Sequence, residues 1–145
     1  METQNETSAA APATGVVEAR PGLDPRGILA FVVALAFPGA GHLVVRRWKR
    51  ALIIAATLVG AFVLGIALHG KLATFDPANR LSIFFVFADA GSGLLYFGCK
   101  LAHIGFEAQA KNPSYEYGTS LLHLAGLLNY LVALDAYDVA VGRKP

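Results

Sequence analysis

The 145-residue chain has one cysteine, Cys99, and that single thiol excludes an intramolecular disulfide and any thiolate-rich metal site. Charge is scarce too. Asp, Glu, Lys and Arg make up 15% of the residues, against about a quarter in an ordinary soluble domain. The formal net charge of +2 is too small to point to nucleic acid. There is no His-Glu-x-x-His, no Ser-centred elbow and no phosphate-binding glycine loop. No cofactor, metal or catalytic role is therefore expected. Residues 1–22 contain no apolar run. Their Ala, Pro, Thr, Glu and Gly bury too little surface to offset ordering entropy, which predicts a disordered tail. A cleavable signal peptide needs an apolar core close to the start, so insertion is left to later segments.

What the chain has instead is hydrophobicity, at 55% of residues and a mean hydropathy of +0.52. It is bunched into four runs, 27–45, 51–68, 81–103 and 118–141. Helical crossing of a core about 30 Å thick takes about 20 residues. The expected fold is all-α: residues 23–145 as one integral membrane bundle of four transmembrane helices, after the tail.

The first run is interrupted by Pro38, Gly39 and Gly41, with His42 behind them. Pro38 removes a backbone donor and frees the carbonyl four residues earlier, at Ala34. Either one kinked helix crosses and turns afterwards, or the helix stops near Phe37 and another starts around Gly41. Then come Arg46, Arg47, Trp48, Lys49 and Arg50. This run contains no turn residue and suits a helix. It reads as an interfacial anchor with Trp48 in the headgroup layer, more than as a specific lipid site.

The second run carries no charge and shows small residues at four-residue spacing (Thr57, Ala61 and Gly65; Ala56 and Gly60), surfaces on which another helix can pack. Residues 69–80 are polar around Asp76-Pro77 and read as a surface loop. In the third run Ser82, Asp89, Gly93, Tyr96 and Lys100 share one helical face. That face must meet a helix or a water-filled cavity. In the fourth, His123, Gly126, Asn129, Tyr130, Ala133 and Tyr137 form a stripe. Asp135 falls opposite it and Asp138 well off it, which predicts two solvated acids at the headgroup boundary.

His42, Asp89, His123 and Asn129 form the candidate intramembrane polar cluster. A buried carboxylate needs a partner or a proton, and His42 and His123 are the candidates for Asp89. The functional reading is a proton or ion relay. The structural reading is a set of interhelical hydrogen bonds, favoured because no further charged residue lines a path. Four Lys or Arg in the five residues 46–50 place that loop in the cytoplasm. Four spans would then put both termini and residues 69–80 on the other side.

Pro38-Gly39-Ala40-Gly41-His42, followed by the basic run and a new apolar helix, resembles the hairpin of small bacterial membrane proteins of unknown function and is reminiscent of the two-transmembrane-hairpin domain. Ala125-Gly126-Leu127-Leu128-Asn129, Leu134-Asp135-Ala136-Tyr137-Asp138 and Gly142-Arg143 resemble the end of one such uncharacterised four-helix family. The resemblance implies a bacterial inner-membrane location and no assigned activity. The expected role is a non-enzymatic component of a membrane assembly, embedded in the lipid bilayer and packed with itself or a larger partner. The alternative is a small transporter or proton-coupled channel using His42, Asp89 and His123. A lipid-acting enzyme at Asp135 and Asp138 comes third.

Overall fold

The chain's structure is a computed structural model that describes residues 24–107 and 111–143; the expected tail at 1–22 lies outside the described residues. Those residues form helices and no strand: α1 (Pro25–Ala36), α2 (Ala40–Val44), α3 (Trp48–Ala67), α4 (Ser82–Ala90), α5 (Leu94–Leu101) and α6 (Tyr115–Ala140). Helix α6 is the axis, packed against α1, α2, α3 and α4.

Helix α1 starts at Asp24, whose carboxylate accepts the Arg26 N–H at 3.0 Å, with Pro25 at the first position, where its missing N–H costs nothing. It stops at Ala36. Phe37 is extended, as a residue before proline prefers to be, and Gly39 turns the chain at φ 83°. Of the two geometries open for this run, the break between two helices is the one found. Helix α2 then folds back along α1, because Gly41 lies against the Ala30 carbonyl and the Ala34 methyl. Ala30, Ala34, Ala133 and Ala136 are all fully buried, so α1 and α6 approach as closely as small side chains allow.

The basic run is divided. Arg46 adopts φ 59° and the turn closes with Arg46 N–H to Leu43 O and Arg47 N–H to His42 O. Helix α3 begins only at Trp48. Left-handed residues close three more helices at His69, His103 and Gly142. Satisfying the last carbonyls this way outweighs the small strain of φ above zero on a residue other than glycine.

Helices α3 and α6 are antiparallel: Gly65, late in α3, packs on Leu122 and Gly118, early in α6. Of the small residues on α3, Gly65 is buried while Ala56, Thr57 and Gly60 face outward.

The expected surface loop at 69–80 is exposed over residues 74–80, but residues 70–73 turn inward. Leu72 is fully buried, and the backbone here finds partners inside the bundle. Lys71 N–H donates to Thr119 Oγ1 at 3.0 Å, Leu72 N–H to Gly105 O at 2.6 Å and Ala73 N–H to Asp89 Oδ2 at 2.6 Å. Polar composition hid a segment whose donors are needed indoors.

The expected single helix over 81–103 is also corrected. It is two helices, α4 and α5, bent by 109° at Gly91-Ser92-Gly93. Gly91 presses on the Gly126 backbone, and Gly93, at φ 58°, presses on the Leu35 and Ala36 carbonyls. Neither place admits a side chain. Helix α5 leaves at a wide angle to α4, and the chain beyond it returns to place Gly105 beside Leu72 and Ile66. Ser82, Asp89, Gly93, Tyr96 and Lys100 therefore do not share one face.

Among the described residues, two helices, α3 and α6, are long and apolar enough to cross a membrane. A third span exists if the bent pair α4–α5 counts as one. The topology expected from charge is altered as well. Gly27, at the start of α1, lies against Tyr137 and Val141 at the end of α6, and Asp135 holds His42 just before the basic run. The start of α1, the basic run and the end of α6 thus share one end of the bundle. The 68–81 segment and the start of α4 occupy the other.

Candidate functional site

The four polar residues singled out in the sequence do not gather into one cluster. They fall instead at three stations along α6, at His123, Asn129 and Asp135. Steps of six residues separate them by about 9 Å in rise and about 240° in rotation, so each faces a different neighbour.

At the first station, His123 Nδ1 is 2.6 Å from Asp89 Oδ1, and Asp89 is fully buried. The other carboxylate oxygen accepts the Ala73 N–H, and the Ala73 carbonyl in turn accepts the Tyr96 hydroxyl at 2.9 Å. A carboxylate fixed on one side by a backbone amide orients the imidazole on the other through a hydrogen bond. His123 also stacks on Phe85, with centroids 5.1 Å apart. Its side chain is 20% exposed, on an open pocket of about 590 Å³ lined by Lys71, Thr74, Asp76, Ser82 and Thr119. One member of the dyad is sealed and the other is reachable.

At the middle station the Asn129 amide donates to Ala34 O at 3.0 Å and Gly91 O at 2.8 Å. The carbonyl that Pro38 frees in α1 is met by a side chain from α6. The same side chain holds the break between α4 and α5, so one amide ties two interrupted helices together. Asn129 Oδ1 and Ser92 Oγ are buried here and have no hydrogen-bond partner among the described residues.

At the third station His42 Nε2 is 3.1 Å from Asp135 Oδ2. The histidine is fully buried and the acid is 38% exposed. His42 therefore does not partner Asp89. Asp135 reaches the surface, but as the open half of a second His–Asp pair. Asp138, by contrast, sits 3.7 Å from Arg143 at the helix end. Among the described residues there is no group of three or more His, Cys, Asp or Glu arranged to hold a metal.

The matching family model, described as a family of unknown function (DUF6677), covers residues 29–145, which includes every residue of the three stations. The chain belongs to this family. No curated protein and no solved structure matches it. The family's matched region starts within α1 and runs through both broken helix pairs, so both breaks lie in the part that defines it.

Sequence reasoning missed Asp135 as the partner of His42, the Ala73 amide and the 91–93 break. Asp135 is twelve residues, or about 18 Å, along α6 from His123, and stripe arithmetic discarded it because a central helix has no single polar face. The Ala73 amide has no sequence signal. Gly91-Ser92-Gly93 does carry one, two glycines within three residues, but it also fits a close-packed continuous helix.

Proposed function

We propose that this protein is a small membrane transporter for a polar solute or ion, with its path running along α6. All four apolar segments lie in the bilayer, α3 and α6 crossing it and the two broken pairs entering as re-entrant hairpins from opposite faces. The observation that carries this reading is the meeting of both helix breaks at Asn129, with a His–Asp pair six residues to either side. Broken helices that meet at mid-depth are how transporters expose backbone groups to a substrate. Ionisable residues within apolar helices are costly, and they commonly mark ion or proton paths. The partnerless Asn129 and Ser92 oxygens at the junction, and the open polar pocket on His123, support the same reading. The basic end of the bundle faces the cytoplasm. Arg26, Arg46, Arg47, Lys49, Arg50 and Arg143 stand there, against Lys71, Arg80, Lys100 and Lys111 at the other end. No catalysis is proposed.

A second reading keeps the polar groups as packing glue in a non-enzymatic membrane component. It is favoured by the use of both Asp89 oxygens and both Asn129 amide hydrogens in bonds within the bundle. Reconstitution in liposomes under an imposed potential, with an internal pH dye, separates the two. Transport predicts proton flux in the native protein and its loss in Asp89→Asn. An asparagine can still accept the Ala73 N–H and donate to a His123 tautomer, so the fold should survive. Absence of flux in the native protein, or flux undiminished by Asp89→Asn, would sink the coupling role.

A further inference from the structure

The break in the first hairpin leaves a slot that opens on the outer surface of the bundle. Pro38, Gly39 and Ala51 are buried and form its floor, because the break has no large side chain and α3 presents small ones there. Phe37, Leu43, Trp48 and Leu52, all more than 40% exposed, are its walls. The slot holds about 360 Å³ and is almost wholly apolar. At its mouth it shares Trp48 and Lys49 with a second, open hollow lined by Arg46, Arg47, Trp48, Lys49 and Arg50. No ion pair among the described residues engages Arg46, Lys49 or Arg50. These cations also crowd the positive end of α3, where they repel each other and the helix dipole, so an anion there relieves charge.

We infer that this corner is a binding site for an anionic phospholipid, one acyl chain in the slot and the headgroup phosphate on Arg46, Lys49 and Arg50. A basic run alone would attract any anionic surface. The apolar slot directly beneath it, joined through Trp48, fits a molecule that is anionic at one end and hydrocarbon at the other. A free phosphate uses only half of the site. A zwitterionic lipid offers the tail without the net charge. The inference is independent of the transport reading.

The test is a titration of the detergent-purified full chain with phosphatidylglycerol, phosphatidylcholine or inorganic phosphate at fixed ionic strength, followed by thermal unfolding and native mass spectrometry. Phosphatidylglycerol is expected to stabilise saturably, with one lipid retained per chain, and the other two are not. Leu43→Trp fills the slot and keeps every charge; Leu52→Trp does the same from the α3 wall should the first variant not accumulate. Arg46→Gln with Lys49→Gln and Arg50→Gln removes the charge and keeps the slot. Both kinds of variant are expected to weaken lipid binding by roughly tenfold or more. Equal stabilisation by phosphatidylcholine, reproduction of the effect by phosphate, or full saturable binding in the slot-filled variants would overturn the site.

Discussion

The two broken hairpins are built alike and open differently. Each is a helix, a three-residue break and a shorter helix that turns back, followed by a long helix, α3 or α6. In the first, α1–α2, the ionisable residue is His42, fully buried, and the exposed partner lies on α6. In the second, α4–α5, the hairpin supplies the buried acid, Asp89, and α6 supplies the reachable histidine, on the wall of an open polar pocket. The acid and base have exchanged sides, but in both pairs the accessible partner is the one on α6. The first hairpin opens on an apolar slot at its break, the second on a polar pocket lined in part by residues of the 68–81 segment.

What joins them is tightest at Gly93. Its φ of 58° with ψ −126° is a conformation reserved for glycine, and its α-carbon sits against the Leu35 and Ala36 carbonyls of the other hairpin. Gly93→Ala should therefore cost roughly 3 kcal/mol or more, from backbone strain together with overpacking. Gly60→Ala, on an exposed helix face with nothing within 4 Å, should stabilise by up to about 1 kcal/mol. Unfolding in detergent followed by circular dichroism reads both. Equal, small effects would mean that the hairpins do not depend on their mutual contact.

Next in size is Asn129→Ala, which strips donors from two buried carbonyls, one in each hairpin. The cost should be about 2 kcal/mol, since each orphaned acceptor carries a penalty but partners in a membrane are partly replaceable. The same unfolding measurement checks it. A loss no larger than that of an exposed α6 position such as Leu131→Ala would show that the junction holds without its amide.

The comparison also separates what the sequence made legible from what it hid. The four apolar runs and the freed Ala34 carbonyl could be read, because proline and hydrophobicity act locally. The donor to that carbonyl, and the partner of His42, could not. Asn129 lies 95 residues from Ala34, and Asp135 lies 93 from His42. Charge counting placed residues 46–50 opposite the chain ends on the assumption that every run crosses. A hairpin that returns restores them to one end. The 91–93 break stayed hidden for a physical reason: its glycines make room for α6 and α1, and close packing of a straight helix asks for the same residue.

Functionally, the asymmetry predicts unequal losses. Asp89→Asn, at the fully buried acid of the second hairpin, should reduce flux to background. Asp135→Asn changes an acid already 38% exposed, where water can take over part of its role, and a loss of only a few-fold is expected. Liposome flux with both variants side by side decides this. A larger loss from Asp135→Asn would move the coupling site to the first hairpin.

The smallest effect should come from the most visible residue. Pro38 announces the first break, yet the break has other supports. Gly39 at φ 83° packs against the Ala51 carbonyl and Ala55, and the acceptor that a residue 38 amide would seek, Ala34 O, is already held by Asn129 at 3.0 Å. Continuing α1 past Ala36 would also drive it into Gly93. Pro38→Ala should then cost less than about 1 kcal/mol, chiefly through the freer unfolded chain. Spin labels at Leu29 and Leu43, both exposed, report the geometry directly. In a straight helix those fourteen residues would span about 21 Å, and in the folded-back hairpin considerably less. A distance that stays short in Pro38→Ala makes the proline a marker of the break, with tertiary packing as its cause. Lengthening towards the straight-helix value would make the first hairpin locally encoded and leave only the second, which has no proline, dependent on its neighbours.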